Sequence, residues 1–102
     1  MIDWQPADTY REVAFLAVYA ADYAQTRTIA RNPNHYIEYN TFLSPHPSIS
    51  RVGAFFAAGA ILHLGTSVIL PAAWRPGFQY LSIGFEAAVV MHNSHIGIKM
   101  EF

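Results

Sequence analysis

The chain predicts an all-α fold, a small helical integral membrane protein of three helices in one domain spanning 1–102. Three observations carry that expectation. Apolar residues make up 53% of the 102 positions and charged residues only 13%, about half the charged share of an ordinary soluble domain. The apolar residues gather in blocks long enough for helices, and those blocks are separated by Pro- and Asn-rich punctuation. The few ionisable residues inside the blocks recur at helical spacing, so they share faces and leave the rest of each helix to lipid. Mean hydropathy is only +0.19, because a long polar connector dilutes the blocks.

The first helix is expected over about 9–31. Thr9 followed by Glu12 matches a capping box, and the apolar run Val13–Ala21 follows. The block then turns polar at Asp22, Gln25, Thr26 and Arg27. Its apolar part is short for a bilayer crossing, which takes about 20 residues. From Asn32 to Ser50, Pro33, Pro45 and Pro47 interrupt any helix, while Tyr36, Ile37, Tyr39, Phe42 and Leu43 give the connector apolar anchors.

The second helix is expected over 49–70, with Ser48 as its N-cap. It is the strongest span, since His63, Thr66 and Ser67 are its only strongly polar side chains after Arg51. Gly53-x-x-x-Ala57 and Ala54-x-x-x-Ala58 form the small-x-x-x-small pattern that lets membrane helices approach closely. Pro71 to Gly77 is a reversal, and the third helix is expected over 77–95. In it Gln79, Ser82, Glu86 and Asn93 fall at i, i+3, i+7 and i+14, one stripe of polar groups in an otherwise apolar helix. A carboxylate costs several kcal/mol in lipid, so the stripe is expected to face protein.

Trp4, Tyr10, Trp74, Phe78 and Tyr80 sit at block edges, where aromatic rings suit a membrane interface. Arg27, Arg31, Arg51 and Lys99 would lie on one side of the bilayer and Arg11 and Arg75 on the other. That asymmetry predicts the N-terminus outside and the C-terminus inside.

A buried polar network of Asp22, Gln25, Thr26, His63, Gln79, Ser82, Glu86 and Asn93 is therefore expected, with Glu86 either protonated or paired with Arg27 or another base. A sharper reading is a transition-metal site built from Asp22, His63 and Glu86, one ligand per helix, completed by Glu38 or His92. Against it, the chain has no H-E-x-x-H or E-x-x-H spacing. Otherwise no cofactor is expected. Net charge of −1 and scattered Arg residues argue against nucleic-acid binding. The absence of Cys removes disulfides and thiolate chemistry. No serine has a G-x-S-x-G context, so nucleophilic catalysis finds little support and an enzyme is the less expected outcome. No basic n-region marks a cleavable leader.

Asp22-x-x-Gln25-Thr26, Glu38-x-Asn40, His46-Pro47-Ser48, Gly84-x-Glu86 and Asn93 with Ile96-Gly97 resemble a group of uncharacterised small membrane proteins encoded in proteobacterial phages and prophages. That group more often has Asn-Pro after the Glu, where this chain has Asn40-Thr41. The resemblance implies a multi-pass protein of the bacterial inner membrane. Three functions then compete: a membrane effector, holin-like or modifying the host envelope; an intramembrane metal-binding protein or metal-dependent enzyme; and a structural subunit of a larger membrane complex. Expected partners are the lipid bilayer, further copies of the chain in a homo-oligomer, and a host membrane protein.

Overall fold

Three helices run up, down and up: α1 over Pro6–Arg31, α2 over Ile49–Ile69 and α3 over Arg75–His95. This is a computed structural model, and it describes residues 3–32 and 48–100; among these there is no strand. Glu38, Asn40, His46 and the aromatic anchors of the connector lie outside the described residues.

α1 begins earlier than the Thr9 capping box predicts. Pro6 occupies the first turn with its φ already helical, and the Gln5 backbone N–H donates to Asp8 Oδ2 at 2.8 Å. Thr9 instead accepts a hydrogen bond from the Trp4 indole at 2.8 Å, which frees Glu12 to turn inward. At its other end, Asn32 Nδ2 donates to the Thr28 carbonyl at 2.7 Å, occupying one of the carbonyls that a helix end orphans.

α2 starts as expected, the Ser48 hydroxyl accepting from Arg51 N–H at 3.1 Å, and stops before Pro71. α3 starts two residues before the predicted boundary, because a turn closed by Trp74 N–H on the Pro71 carbonyl at 2.9 Å delivers Arg75 directly into the helix. It ends where Gly97 adopts φ +91°, a conformation that favours glycine. There Ile98 N–H folds back onto the Asn93 carbonyl at 2.9 Å, and Ile98 is buried.

Pairings fix the directions. Arg11 meets Gln79, Gln25 meets Ser94 and Thr28 meets the Lys99 carbonyl, so α1 and α3 are parallel. Glu12 meets His63 and Tyr19 meets Phe56, so α2 is antiparallel to α1. α1 packs along α3 most extensively and along α2 less, while α2 and α3 barely touch. α1 is thus the central helix.

The interior is polar. Asp8, Glu12, Gln25, Thr26, Thr28, His63, Ser67, Arg75, Gln79 and Glu86 are all buried, against Phe15, Ala24, Ile29, Val52, Phe56 and Ile98 among apolar residues. Exposed positions in the middle of each helix are the reverse. Those of α1 between 13 and 20 are Val13, Ala14, Leu16, Ala17 and Ala20; those of α2 between 54 and 65 are Ala54, Ala57, Ala58, Ile61, Leu62, Leu64 and Gly65. Those of α3 between 80 and 91 are Tyr80, Leu81, Gly84, Phe85, Ala88 and Met91. Tyr80 alone carries a polar atom.

Among the described residues, α2 alone passes the length and hydropathy test for a membrane span, with a mean hydropathy of 1.8 over its best window. Only 22% of that window is buried. A core helix of a water-soluble protein would be mostly buried, so α2 is apolar outward.

Ala54, Ala57 and Ala58, expected at a helix–helix contact, face outward, and a Cβ on Gly53 would meet nothing within 4 Å. The close approach of α1 and α2 falls at Gly59. A Cβ there would lie 2.1 Å from the Tyr19 hydroxyl, which donates to the Phe56 carbonyl at 2.9 Å.

Candidate functional site

Glu12 and Arg75 organise one end of the bundle. Glu12 receives three groups: the Ser67 hydroxyl on Oε1 at 2.9 Å, Gln79 Nε2 on Oε1 at 3.2 Å, and His63 Nδ1 on Oε2 at 2.8 Å. His63 and Ser67 are four residues apart, so one face of α2 presents both to the same carboxylate. Gln79 completes its own set by accepting from Arg11 Nε at 2.7 Å and donating to the Asp8 carbonyl at 3.2 Å.

Arg75 is 1% exposed and fully used. Nε donates to the Ser67 carbonyl at 2.6 Å, one terminal nitrogen to the Asp3 carbonyl at 2.8 Å and Asp8 Oδ2 at 2.9 Å, and the other to Leu70 at 3.0 Å and Val68 at 3.3 Å. Its guanidinium also lies 5.0 Å from the Trp4 ring centre. One side chain therefore ties α3 to the carbonyls left open at the end of α2. Asp8, at the N-terminal end of α1, also pairs with Arg11.

Toward the middle, the His63 ring is sandwiched between Phe15, with ring centres 3.5 Å apart and planes within 5°, and Phe78 at 4.7 Å. Glu12, collecting donors, accepts from Nδ1–H of His63, which leaves Nε2 as the other ring nitrogen. That atom is buried with no hydrogen-bond partner, as is Glu86 Oε2. The Asp22 carboxyl neighbours Glu86 and is itself approached by Thr26 Oγ1 at 3.3 Å. Both unpartnered atoms belong to residues lining one cleft of about 450 Å³, together with Phe15, Tyr19, Gly59, Phe78, Leu81, Ser82 and Phe85.

At the far end, Gln25 is completely buried. Its Nε2 donates to the Val90 carbonyl at 3.1 Å and Ser94 Oγ at 3.0 Å, and its Oε1 accepts from Asn93 at 3.1 Å. Gln79, Glu86 and Asn93 thus do face α1, as their spacing predicts; Ser82 donates to the Phe78 carbonyl at 2.8 Å and lines the cleft. Arg27 lies over the Tyr23 ring at 5.6 Å, and no pairing with Glu86 forms among the described residues.

Asp22, His63 and Glu86 divide between two places. His63 belongs with Glu12 and Phe78, while Glu86 belongs with Asp22. Phe78 precedes Glu86 by eight residues, about 12 Å of helical rise. Among the described residues no group of three His, Cys, Asp or Glu side chains could hold a metal ion.

Asp8, Arg11, Glu12, Ser67 and Arg75 are site residues that the sequence reading did not single out. A signal was present: Asp8, Glu12, Phe15, Tyr19, Asp22 and Thr26 follow one another at steps of 4, 3, 4, 3 and 4, a continuous stripe along α1. Compared with family models, curated proteins and solved structures, the chain finds no match.

Proposed function

We propose that this chain is a multi-pass protein of a bacterial inner membrane, with all three helices in the bilayer, and that it works as a membrane effector by seating its outer helix faces against another envelope protein of the host. The observation that carries the reading is the reversal of polarity: ten buried polar or charged residues inside, and an exterior whose central positions are Ala, Gly, Val, Leu, Ile, Phe and Met with one Tyr. Water does not solvate such a surface well, and lipid does.

Hydropathy alone undercounts α1 and α3, because many of the residues that lower their scores are ones lipid would not meet. Asp8, Glu12, Gln25, Arg75, Gln79 and Glu86 are all turned inward. At 21 residues each, α2 and α3 are about 31 Å long, matching a hydrocarbon core of about 30 Å.

Between the two forms of effector, envelope modification is favoured over a holin-like pore. A water-filled lumen needs a polar face on the outside of the subunit, and the central belt offers none. The outward face of Ala54, Ala57 and Ala58 is smooth enough for a partner helix to approach.

Expression in a bacterial host tests this. The chain is expected in the membrane pellet after alkaline carbonate extraction, with resistance to a second infection or altered envelope function while membrane potential persists. Abrupt depolarisation would replace the reading with a pore, and recovery in the soluble fraction would end it.

A further inference from the structure

The cleft between α2 and α3 shows what the bundle leaves unfinished. α1 floors it with Phe15 and Tyr19, α2 supplies Gly59 and His63, and α3 supplies Phe78, Leu81, Ser82, Phe85 and Glu86. Its volume of about 450 Å³ falls among small-molecule pockets, which are apolar with a few placed polar groups. Leu81 and Phe85 are 77% and 69% exposed, so the cleft opens sideways, in the direction that would face lipid.

Two residues of its lining are more than nine-tenths buried and carry an unsatisfied atom, Nε2 of His63 and Oε2 of Glu86. Buried polar atoms without partners are costly and uncommon in native proteins. Among the described residues Arg27 Nε is the one other such atom, and it lies elsewhere, over the Tyr23 ring, while Gln25, Gln79 and Arg75 use their donors in full. The gaps in this pattern therefore point to something outside the chain.

Its chemistry follows from the two atoms. With Nδ1–H given to Glu12, His63 Nε2 is left for a polar group from outside the chain. Glu86 Oε2 is unpartnered too, and its carboxyl lies against that of Asp22, a pair of acids that a cation beside them would hold ionised. The rings of Tyr19 and Phe85 near that end suit an ammonium. Between the ends, Phe15, Phe78 and Leu81 form an apolar wall. A second copy of the chain would not supply the cation, since among the described residues its central exposed belt offers only the Tyr80 hydroxyl.

We infer that the α2–α3 cleft binds an amine-headed amphiphile from the bilayer, its ammonium on Glu86, its apolar body along Phe15 and Phe78, and any second polar group on His63 Nε2. The inference rests on the membrane reading of the outer surface, not on the effector role. Free long-chain amines and the headgroup of an aminophospholipid share this chemistry.

The test uses the full chain in nanodiscs of phosphatidylglycerol, which carries no amine. Dodecylamine is expected to bind one site per chain above the level of empty nanodiscs, at least tenfold more tightly than dodecanol. Glu86→Gln should abolish the preference for the amine with helicity and elution unchanged. Leu81→Trp should block the amine by filling the cleft while leaving Glu86 in place. Nanodiscs containing phosphatidylethanolamine separate the sources: competition against dodecylamine identifies the headgroup, and unchanged binding identifies a free amine. No saturable binding, equal binding of amine and alcohol, or full binding by folded Glu86→Gln would each overturn the site. A failure here, with the chain still in the membrane pellet and its host phenotype intact, would leave the effector reading standing.

Discussion

Arg75 shows what a single residue does in this interior. Five carbonyl or carboxylate acceptors converge on one guanidinium that is 1% exposed. Removing one partner of a buried pair leaves an uncompensated charge, a loss of about 3–5 kcal/mol. Arg75→Met is expected to destabilise by that order, measured by thermal unfolding in detergent, and more than Arg75→Lys, which keeps the charge but not the fork.

The contact of α1 with α2 depends on one missing side chain. At Gly59 a Cβ would collide with the Tyr19 hydroxyl at 2.1 Å, the next atom being the ring carbon at 3.2 Å. Gly59→Ala is expected to cost about 1–3 kcal/mol by overpacking, and Tyr19→Phe in the same chain should recover part of it. A double-mutant cycle on unfolding measures the coupling. α2 also offers a test of its surroundings. Ile61 and Leu62 are 73% and 69% exposed. In water a charge there would be nearly neutral; in lipid Leu62→Arg costs roughly 2.5–3.5 kcal/mol on insertion scales. A sharp fall in the membrane-inserted fraction is expected, and unchanged yield of a dispersed protein would contradict a lipid-facing α2.

For the molecule as a whole, the up-down-up path puts the start of α1, the end of α2 and the start of α3 together at one end. The described basic residues there, Arg11 and Arg75, are engaged inward with Gln79 and Asp8. At the opposite end Arg31, Arg51 and Lys99 are exposed. Positive charge on the surface therefore collects at the end carrying the C-terminal segment, which predicts the N-terminus outside and the C-terminus inside. Paired alkaline phosphatase and fluorescent-protein fusions at each terminus should report opposite sides. The same side for both would exclude three crossings.

Composition, block lengths and the spacing of Gln79, Glu86 and Asn93 determined the number of helices, their rough limits and the inward face of α3. They could do so because helical periodicity is a local property of the chain. The start of α1 is legible too, in Pro6, whose fixed φ suits the first turn of a helix. What only the tertiary structure decided was which polar groups meet. Sequence spacing places residues on a helix face but does not set the register between helices, so it could not separate Glu86 and Asp22 from His63 and Glu12. Nor could it show that Gly59 rather than Gly53 takes the close contact, or that two unpartnered polar atoms are left in residues lining one cleft. Those outcomes depend on how far α2 and α3 diverge around α1, a distance that no local pattern encodes.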